Sequence, residues 1–226
     1  MVFDDRVDAG RRLGARLAHL RGEPVVVLGL PRGGVPVAAE VARALGAPLD
    51  VIVIRKLGVP FQPELGMGAV GEDGFQVINL EIVHAAGVTP AELAAVRARE
   101  RAEVTRRARR YRRGRERTPL DGRVAVIVDD GIATGSTART ACQIARALRA
   151  ARVVLATPVA PRGWQDRIGQ DADEMISVTT PAPFYGIGQF YADFSQTSDA
   201  EVVACLERAA REAGIRPRPT TRPSNG

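Results

Sequence analysis

The chain is poor in the side chains that carry covalent and metal chemistry. Among 226 residues there are two cysteines, Cys142 and Cys205, and two histidines, His19 and His84. Both cysteines lie among alanines in helical patterns, which reads as reduced, buried thiols in a cytosolic protein, and neither has a histidine nearby to activate it. No CxxC or HxxxH spacing offers a zinc site. No apolar stretch reaches the roughly 18 residues that a membrane span needs. The N-terminal segment is charged from Asp4 onward, without the apolar run of a signal peptide. A soluble, cytoplasmic protein is the expectation, with no membrane partner.

What is abundant is arginine, and it is unevenly spread. Between Arg97 and Arg117 eleven arginines face Glu100, Glu103 and Glu116, a local charge of +8 in a chain whose formal total is +6, so the remainder is −2. Thr89-Pro-Ala-Glu92 opens this segment as a capping box with Pro at the first helical position. Leu93, Val96, Val104, Ala108 and Tyr111 recur at helical spacing, so one face docks. Three readings of the other face stand side by side: a solvated surface, a polyanion-binding face for RNA or DNA, and an electrostatic funnel for an anionic substrate. Nucleic acid is not the favoured one, because Tyr111 alone interrupts the arginines with an aromatic ring.

The densest chemistry lies in Val124-Ala-Val-Ile-Val-Asp-Asp-Gly-Ile-Ala-Thr-Gly-Ser-Thr137. Val124 to Val128 is a β-branched run of the kind a parallel sheet buries on both faces. Asp129 and Asp130 follow at the strand's carboxyl end, where open α/β sheets place ligands. Thr134, Gly135, Ser136 and Thr137 then supply hydroxyls and the unpaired amides of a helix start, a cradle for phosphate. An N-capping Asp on an ordinary turn accounts for one acid and the Thr, not for two acids beside four small or hydroxylated residues. A sugar phosphate suits the set: its anion on the turn, its vicinal hydroxyls on the acids.

A second strand, Pro24 to Leu30, runs into Pro31-Arg-Gly-Gly-Val-Pro36. Gly33 and Gly34 let backbone approach an anion closely, and Arg32 offers a charged fork to phosphate oxygens.

These two motifs resemble the type I phosphoribosyltransferases, the first being similar to their 5-phosphoribosyl-1-pyrophosphate (PRPP) motif. The likeness covers residues 24 to 195, loosely outside the motifs. It implies transfer of a 5-phosphoribosyl group from PRPP to a nitrogenous, nucleobase-like small-molecule acceptor, with release of pyrophosphate. Asp129 and Asp130 would hold the ribose 2′ and 3′ hydroxyls and stabilise the ring cation. Ala133, Thr134, Gly135, Ser136 and Thr137 would bind the 5′-phosphate. Arg32, Gly33 and Gly34 would bind pyrophosphate over a strained or cis peptide at Leu30-Pro31 or Pro31-Arg32. Arg55 and Lys56 look like the Arg-Lys pair that serves pyrophosphate in adenine and orotate members, with a solvent-facing strand end as the other reading for one of them. Mg2+ is the implied cofactor, held mainly through PRPP and water and at most through Asp129 and Asp130. A homodimer is implied by family analogy.

Two departures bear on the acceptor. Hypoxanthine-type members carry an Asp where this chain has Ala133, so their general base is missing; Glu64 and Glu72 are the candidates in its place. The run Arg55 to Val70 is similar instead to an uncharacterised bacterial subgroup, and occupies the place of the mobile loop in characterised members. Five of the nine Phe and Tyr residues crowd into Pro183 to Phe194. Phe184 or Tyr185 would stack on a planar base with Asp193 beyond it, or these rings pack as core beneath a loop.

The expected architecture is α/β, a doubly wound, mostly parallel sheet with a small hood, an inserted hairpin and a long basic helix. One domain spans 1–215, with the core at about 24–60 and 120–180, the insertion at 61–117 and the hood at about 180–197; a disordered tail is expected at 216–226. Helices are expected at 5–21, 35–45, 135–150, 163–168 and 199–213, strands at 24–30, 49–54, 124–128, 152–158 and 174–178, and a hairpin turning at Glu72-Asp73-Gly74. Other functions on the same scaffold remain open: a PRPP- or nucleotide-sensing regulator that binds nucleic acid through the arginine helix, or a sugar-phosphate phosphatase or phosphorylase.

Overall fold

Two uninterrupted β-branched runs set the architecture, because each buries both faces. In the computed structural model, which describes residues 3–213, these are β1 (Val25–Gly29) and β6 (Val124–Val128), paired in parallel with Val27 opposite Val126. Around them the order is β2-β1-β6-β7-β8, with β2 at Leu49–Val51, β7 at Arg152–Val159 and β8 at Glu174–Thr179, every neighbour parallel. Side chains alternate along a strand. Val25 and Val27 therefore join one core with helices α1 (Arg6–Arg16), α2 (Gly34–Leu45) and α7 (Asp199–Glu212), through Leu13, Val41 and Leu206. Val26 and Leu28 join the other, with α5 (Ser136–Ala147) and α6 (Trp164–Ile168), through Ala141 and Trp164. This is the expected doubly wound sheet.

A second, antiparallel sheet of order β3-β4-β5 stands beside the first, with β3 at Ile54–Val59, β4 at Gln62–Gly71 and β5 at Gln76–Ile78. The hairpin turns at Glu72–Gly74 as expected. The single strand expected over 49–54 is instead divided: β2 stops at Val51, and Ile54 opens the other sheet. Gly58 explains why β3 and β4 lie so close, since a methyl there would run into the backbone of Pro63. The helix expected at 5–21 also breaks, at Leu17, into α1 and a 3-10 turn over Ala18–Leu20 that buries both Leu17 and Leu20.

A short helix, α3 (Leu80–Ala85), precedes α4 (Pro90–Arg112), which starts at the Thr89/Glu92 capping box and buries Val96, Val104, Ala108 and Tyr111. Among the described residues no helix is long and apolar enough to cross a membrane. The tail expected at 216–226 lies outside the described residues.

Candidate functional site

The turn after β6 is held on both sides by β7. The Asp129 amide donates to the Ala156 carbonyl at 3.3 Å, and the Ile132 amide to the Val159 carbonyl at 2.9 Å. Gly135, at φ +82°, is the N-cap of α5 and brings no side-chain oxygen to the helix's first amides. Those amides are left for another acceptor, and the helix dipole favours an anion there. Ala133, Thr134, Ser136 and Thr137 are all exposed around them. The turn over 133–137 is thus uncapped and exposed on either side of a buried Gly135.

Asp129 and Asp130 stand at the foot of this turn. The Asp130 amide donates to Asp129 Oδ1 at 2.9 Å. Burial holds the pKa of Asp129 well above the usual carboxylate range, and the negative charge of Asp130 adds to it. Burial raises Asp130 as well, opposed by the charge and hydrogen bond of Arg6. That arginine was not legible beforehand. Its Nε donates to Asp130 Oδ2 at 2.8 Å and its Nη1 to the Ser195 carbonyl at 2.7 Å, while its guanidinium lies 4.1 Å over the Phe194 ring. One arginine in a basic chain, 124 positions from its acid, leaves no local pattern to read.

The Pro31–Gly34 loop abuts the same acids. Its Pro31–Arg32 peptide is cis. A methyl at Gly33 would overlap the Asp130 carboxylate, and one at Gly34 would sit 2.7 Å from the Val128 carbonyl. Only glycines allow this approach. Arg32 is partly buried and forms no ion pair among the described residues.

A cavity of about 770 Å³ opens in front of α5, lined by Thr134, Gly135 and Ser136 on one wall and on the other by Lys56 and Gly68 of the second sheet with Asn79, the N-cap of α3. Arg139, Gln143 and Arg167 also line it. The first two follow Ser136 at helical spacing, a signal available in the sequence. Arg139 is bound to Asp171 at 2.6 Å and Arg167 Nη1 donates to the Ala133 carbonyl at 3.0 Å. Asp129, Asp130 and Arg32 are not among the residues on these walls.

Strand alternation separates the Arg-Lys pair. Lys56 faces the cavity and donates to the Glu64 carbonyl, whereas Arg55 turns to α4 and pairs with Glu100 at 2.9 Å. Of the two glutamates, Glu64 is exposed on β4. Glu72 is engaged elsewhere: it accepts from the Val53 amide at 3.2 Å and forms an ion pair with Arg112.

The aromatic segment divides. Tyr191 and Phe190 are buried, with Tyr191 5.3 Å from Phe3 and 5.0 Å from Phe194 between ring centres. The Tyr191 hydroxyl donates to the Asp130 carbonyl at 2.5 Å, tying hood to acids. Phe184 leans on Phe190, whereas Tyr185 is 87% exposed and free to meet a ligand. Asp193 lies at the surface; its carboxylate accepts from the Ser195 amide at 2.8 Å, which lowers its pKa.

A family model described as "Phosphoribosyl transferase domain" matches residues 3–194. Two Mycobacterium tuberculosis proteins, named "Putative phosphoribosyl transferase Rv0571c" (strain H37Rv) and "Putative phosphoribosyl transferase MT0597" (strain CDC 1551), are each 59% identical over 211 residues, 93% of this chain. The chain spans 48% of the length of these relatives. The crystal structure of TT1426 from Thermus thermophilus superposes with a TM-score of 0.80 at 42% identity, covering 92% of this chain and 99% of that one.

Proposed function

Because this chain belongs to the phosphoribosyl transferase domain family, we propose that it transfers the 5-phosphoribosyl group of PRPP to a nitrogenous small-molecule acceptor and releases pyrophosphate. One observation carries this reading above the others: an exposed, uncapped helix turn of small and hydroxylated residues lies directly beside two adjacent buried-edge carboxylates.

The amides and hydroxyls of Thr134 to Thr137 hold the 5′-phosphate at the α5 N-terminus. The carboxylates of Asp129 and Asp130 accept from the ribose hydroxyls. Departure of pyrophosphate from C1 leaves positive charge on the ring, and fixed anions nearby stabilise it without reorganising. Lys56 and Arg32, with the amides of Gly33 and Gly34, take up charge on the leaving group. Positioning and electrostatics suffice, so the scarcity of Cys and His is no obstacle. Arg55 contributes from a distance at most, since its guanidinium is committed to Glu100.

Mg2+ fits the donor set in a limited way. No group of three or more His, Cys, Asp or Glu side chains that could hold a metal occurs among the described residues, so they provide no cage. Asp129 accepts only the Asp130 amide among the described residues, and burial, with the Asp130 charge beside it, raises its pKa, a penalty on the carboxylate that a divalent cation would offset. Asp129 is therefore the residue that would touch the ion, whose other ligands would come from PRPP and water; it would supply neutralisation of the pyrophosphate.

The acceptor pocket is assigned to the hood, with exposed Tyr185 as the stacking surface, Phe184 behind it and Asp193 at its edge. Glu72 is a poor general base while Arg112 holds its carboxylate, which leaves Glu64. The test is pyrophosphate release from PRPP and Mg2+ with a panel of nucleobases and related nitrogen heterocycles. Turnover with at least one is expected. Absence of both PRPP binding and turnover overturns the reading, and release of inorganic phosphate instead would indicate a phosphatase or phosphorylase.

A further inference from the structure

The arginines of α4 fall into two groups once their partners are counted. On the outward faces most arginines are paired: Arg106 and Arg107 share Glu103, Arg110 pairs with Asp199, Arg113 with Glu207, and Arg99 shares Glu100 with Arg55. A helix whose outward arginines are mostly engaged offers few free cations to a nucleic-acid backbone. Arg97 apart, the arginines of this stretch without a carboxylate partner among the described residues collect in one concavity.

That concavity, about 620 Å³, lies between the hairpin tip at Glu72–Gly74, the second half of α4 and the segment 114–117 that follows it. Five arginines line it: Arg101, Arg109, Arg112, Arg115 and Arg117. Arg112 is satisfied by Asp50 and Glu72, and Arg117 by Asp73. The other three have no carboxylate partner among the described residues. Arg101 reaches only the Gly74 carbonyl and Gln76 Oε1, at 3.2 and 3.0 Å, and its buried Nε has no partner there. Arg115 donates only to the carbonyls of Arg112 and Leu206, at 3.1 and 2.9 Å. Burial lowers its pKa, against the opposing pull of the more distant Asp50 and Glu207 charges, neither of which pairs with it. Arg109 is exposed at the rim, and its side chain makes no hydrogen bond or ion pair with the described residues. Like charges brought together without counterions cost free energy, and that cost is recovered when an anion arrives.

We infer that this cavity is a second anion site, separate from the turn at α5, which binds an oligophosphate through Arg101, Arg109 and Arg115. Guanidinium forks match the oxygens of linked phosphates, and the volume suits a nucleoside polyphosphate or a short condensed phosphate. Val104 and Ala108 give an apolar floor between the cations.

Calorimetric titration of the full chain with inorganic tripolyphosphate, in EDTA, tests the site. ATP serves as a second probe. R101Q/R109Q should weaken tripolyphosphate at least tenfold while leaving PRPP affinity within twofold. K56A/S136A, which alters the other cavity, should leave the R101Q/R109Q-sensitive event in place. A tenfold preference for ATP would support the site and assign a nucleotide as its occupant; equal affinity would support it and assign the phosphate chain alone. Single R109Q, at an exposed residue without partners among those described, guards against a folding defect in the double variant and should weaken binding threefold or more. Unchanged tripolyphosphate affinity in both arginine variants overturns the inference, as does binding of a single-stranded RNA 20-mer in the absence of binding by either small probe. Neither outcome depends on whether PRPP is a substrate.

Discussion

Arg6 Nε lies 2.8 Å from Asp130 Oδ2, and both side chains are 12% exposed. The pair fastens the start of α1 to the end of β6, and through the Ser195 carbonyl and the Phe194 ring it also fastens the hood. An acid assigned to ribose is thereby held in place by a residue outside both phosphate motifs, with Oδ1 left for a ligand. Removing one partner of a buried pair leaves the other charge uncompensated, at about 3–5 kcal/mol for full burial. Residual water access places Arg6→Ala below that range, at about 2–3 kcal/mol. Arg6→Ala/Asp130→Asn should recover part of the loss. Denaturant midpoints of the four proteins in the cycle check this; strictly additive losses would show that the two residues are not coupled.

Asp130→Asn should weaken PRPP binding at least tenfold, because an amide accepts less strongly than a carboxylate and carries no charge for the developing ring cation. Calorimetry with PRPP and Mg2+ measures it. Equal affinity in the variant would remove Asp130 from the proposed site.

Gly33 has φ −61°, so a side chain meets no backbone obstacle there. Its obstacle is the Asp130 carboxylate. Gly33→Ala should therefore cost about 1–3 kcal/mol through overpacking and displace the acid, lowering PRPP affinity as well. Gly186, with open space around its Cα, is the control, and Gly186→Ala should change neither quantity.

Lys56 and Arg55 should separate cleanly. Lys56→Ala should reduce PRPP or pyrophosphate affinity about tenfold or more, the loss of one charged contact to phosphate, with little change in unfolding. Arg55→Ala should leave affinity within about threefold and cost up to about 1 kcal/mol, since its pair with Glu100 is partly exposed. Reversed effects would place Arg55 at the ligand.

The carboxylate pair gives a pH signature. Asp129 is held above its ordinary value of 3.8 by burial and by Asp130, so the native state retains protons that the unfolded chain has already released. Stability should fall as pH rises from about 4 through that raised pKa, the reverse of an ordinary salt-bridged carboxylate. Asp129→Asn should flatten this slope and raise stability at neutral pH, while abolishing PRPP binding. Unfolding free energies between about pH 4 and 8 test it, and an unchanged slope would show that Asp129 carries no such penalty.

Much of the scaffold was legible because its signals are local. Val124 to Val128 and Val25 to Leu28 are too apolar to face water on either side, which made them central parallel strands, and the Thr89/Glu92 box marked the start of α4 to the residue. The uncapped Thr134–Thr137 turn and the acids before it were readable for the same reason. Contacts between distant parts were not. Nothing near Arg6 announces Asp130, and nothing in Ile54-Arg-Lys56 tells which cation faces the ligand until a strand's register is known. The Gly-rich run of β4 hid its pairing with β3, because close backbone packing leaves no side-chain pattern. Tyr185 likewise looks no different in sequence from Tyr191, which the fold buries.

Phe3 forms a bridge with Tyr191: its amide donates to the Phe190 carbonyl, and its own carbonyl accepts from the Ala192 amide. Asp4 continues the seam by accepting from the Asp193 amide. Extra chain joined within a few residues of Phe3, such as an affinity handle, would therefore crowd the segment assigned to the acceptor. Kinetic comparisons across variants belong on protein whose handle is attached elsewhere or has been cut away.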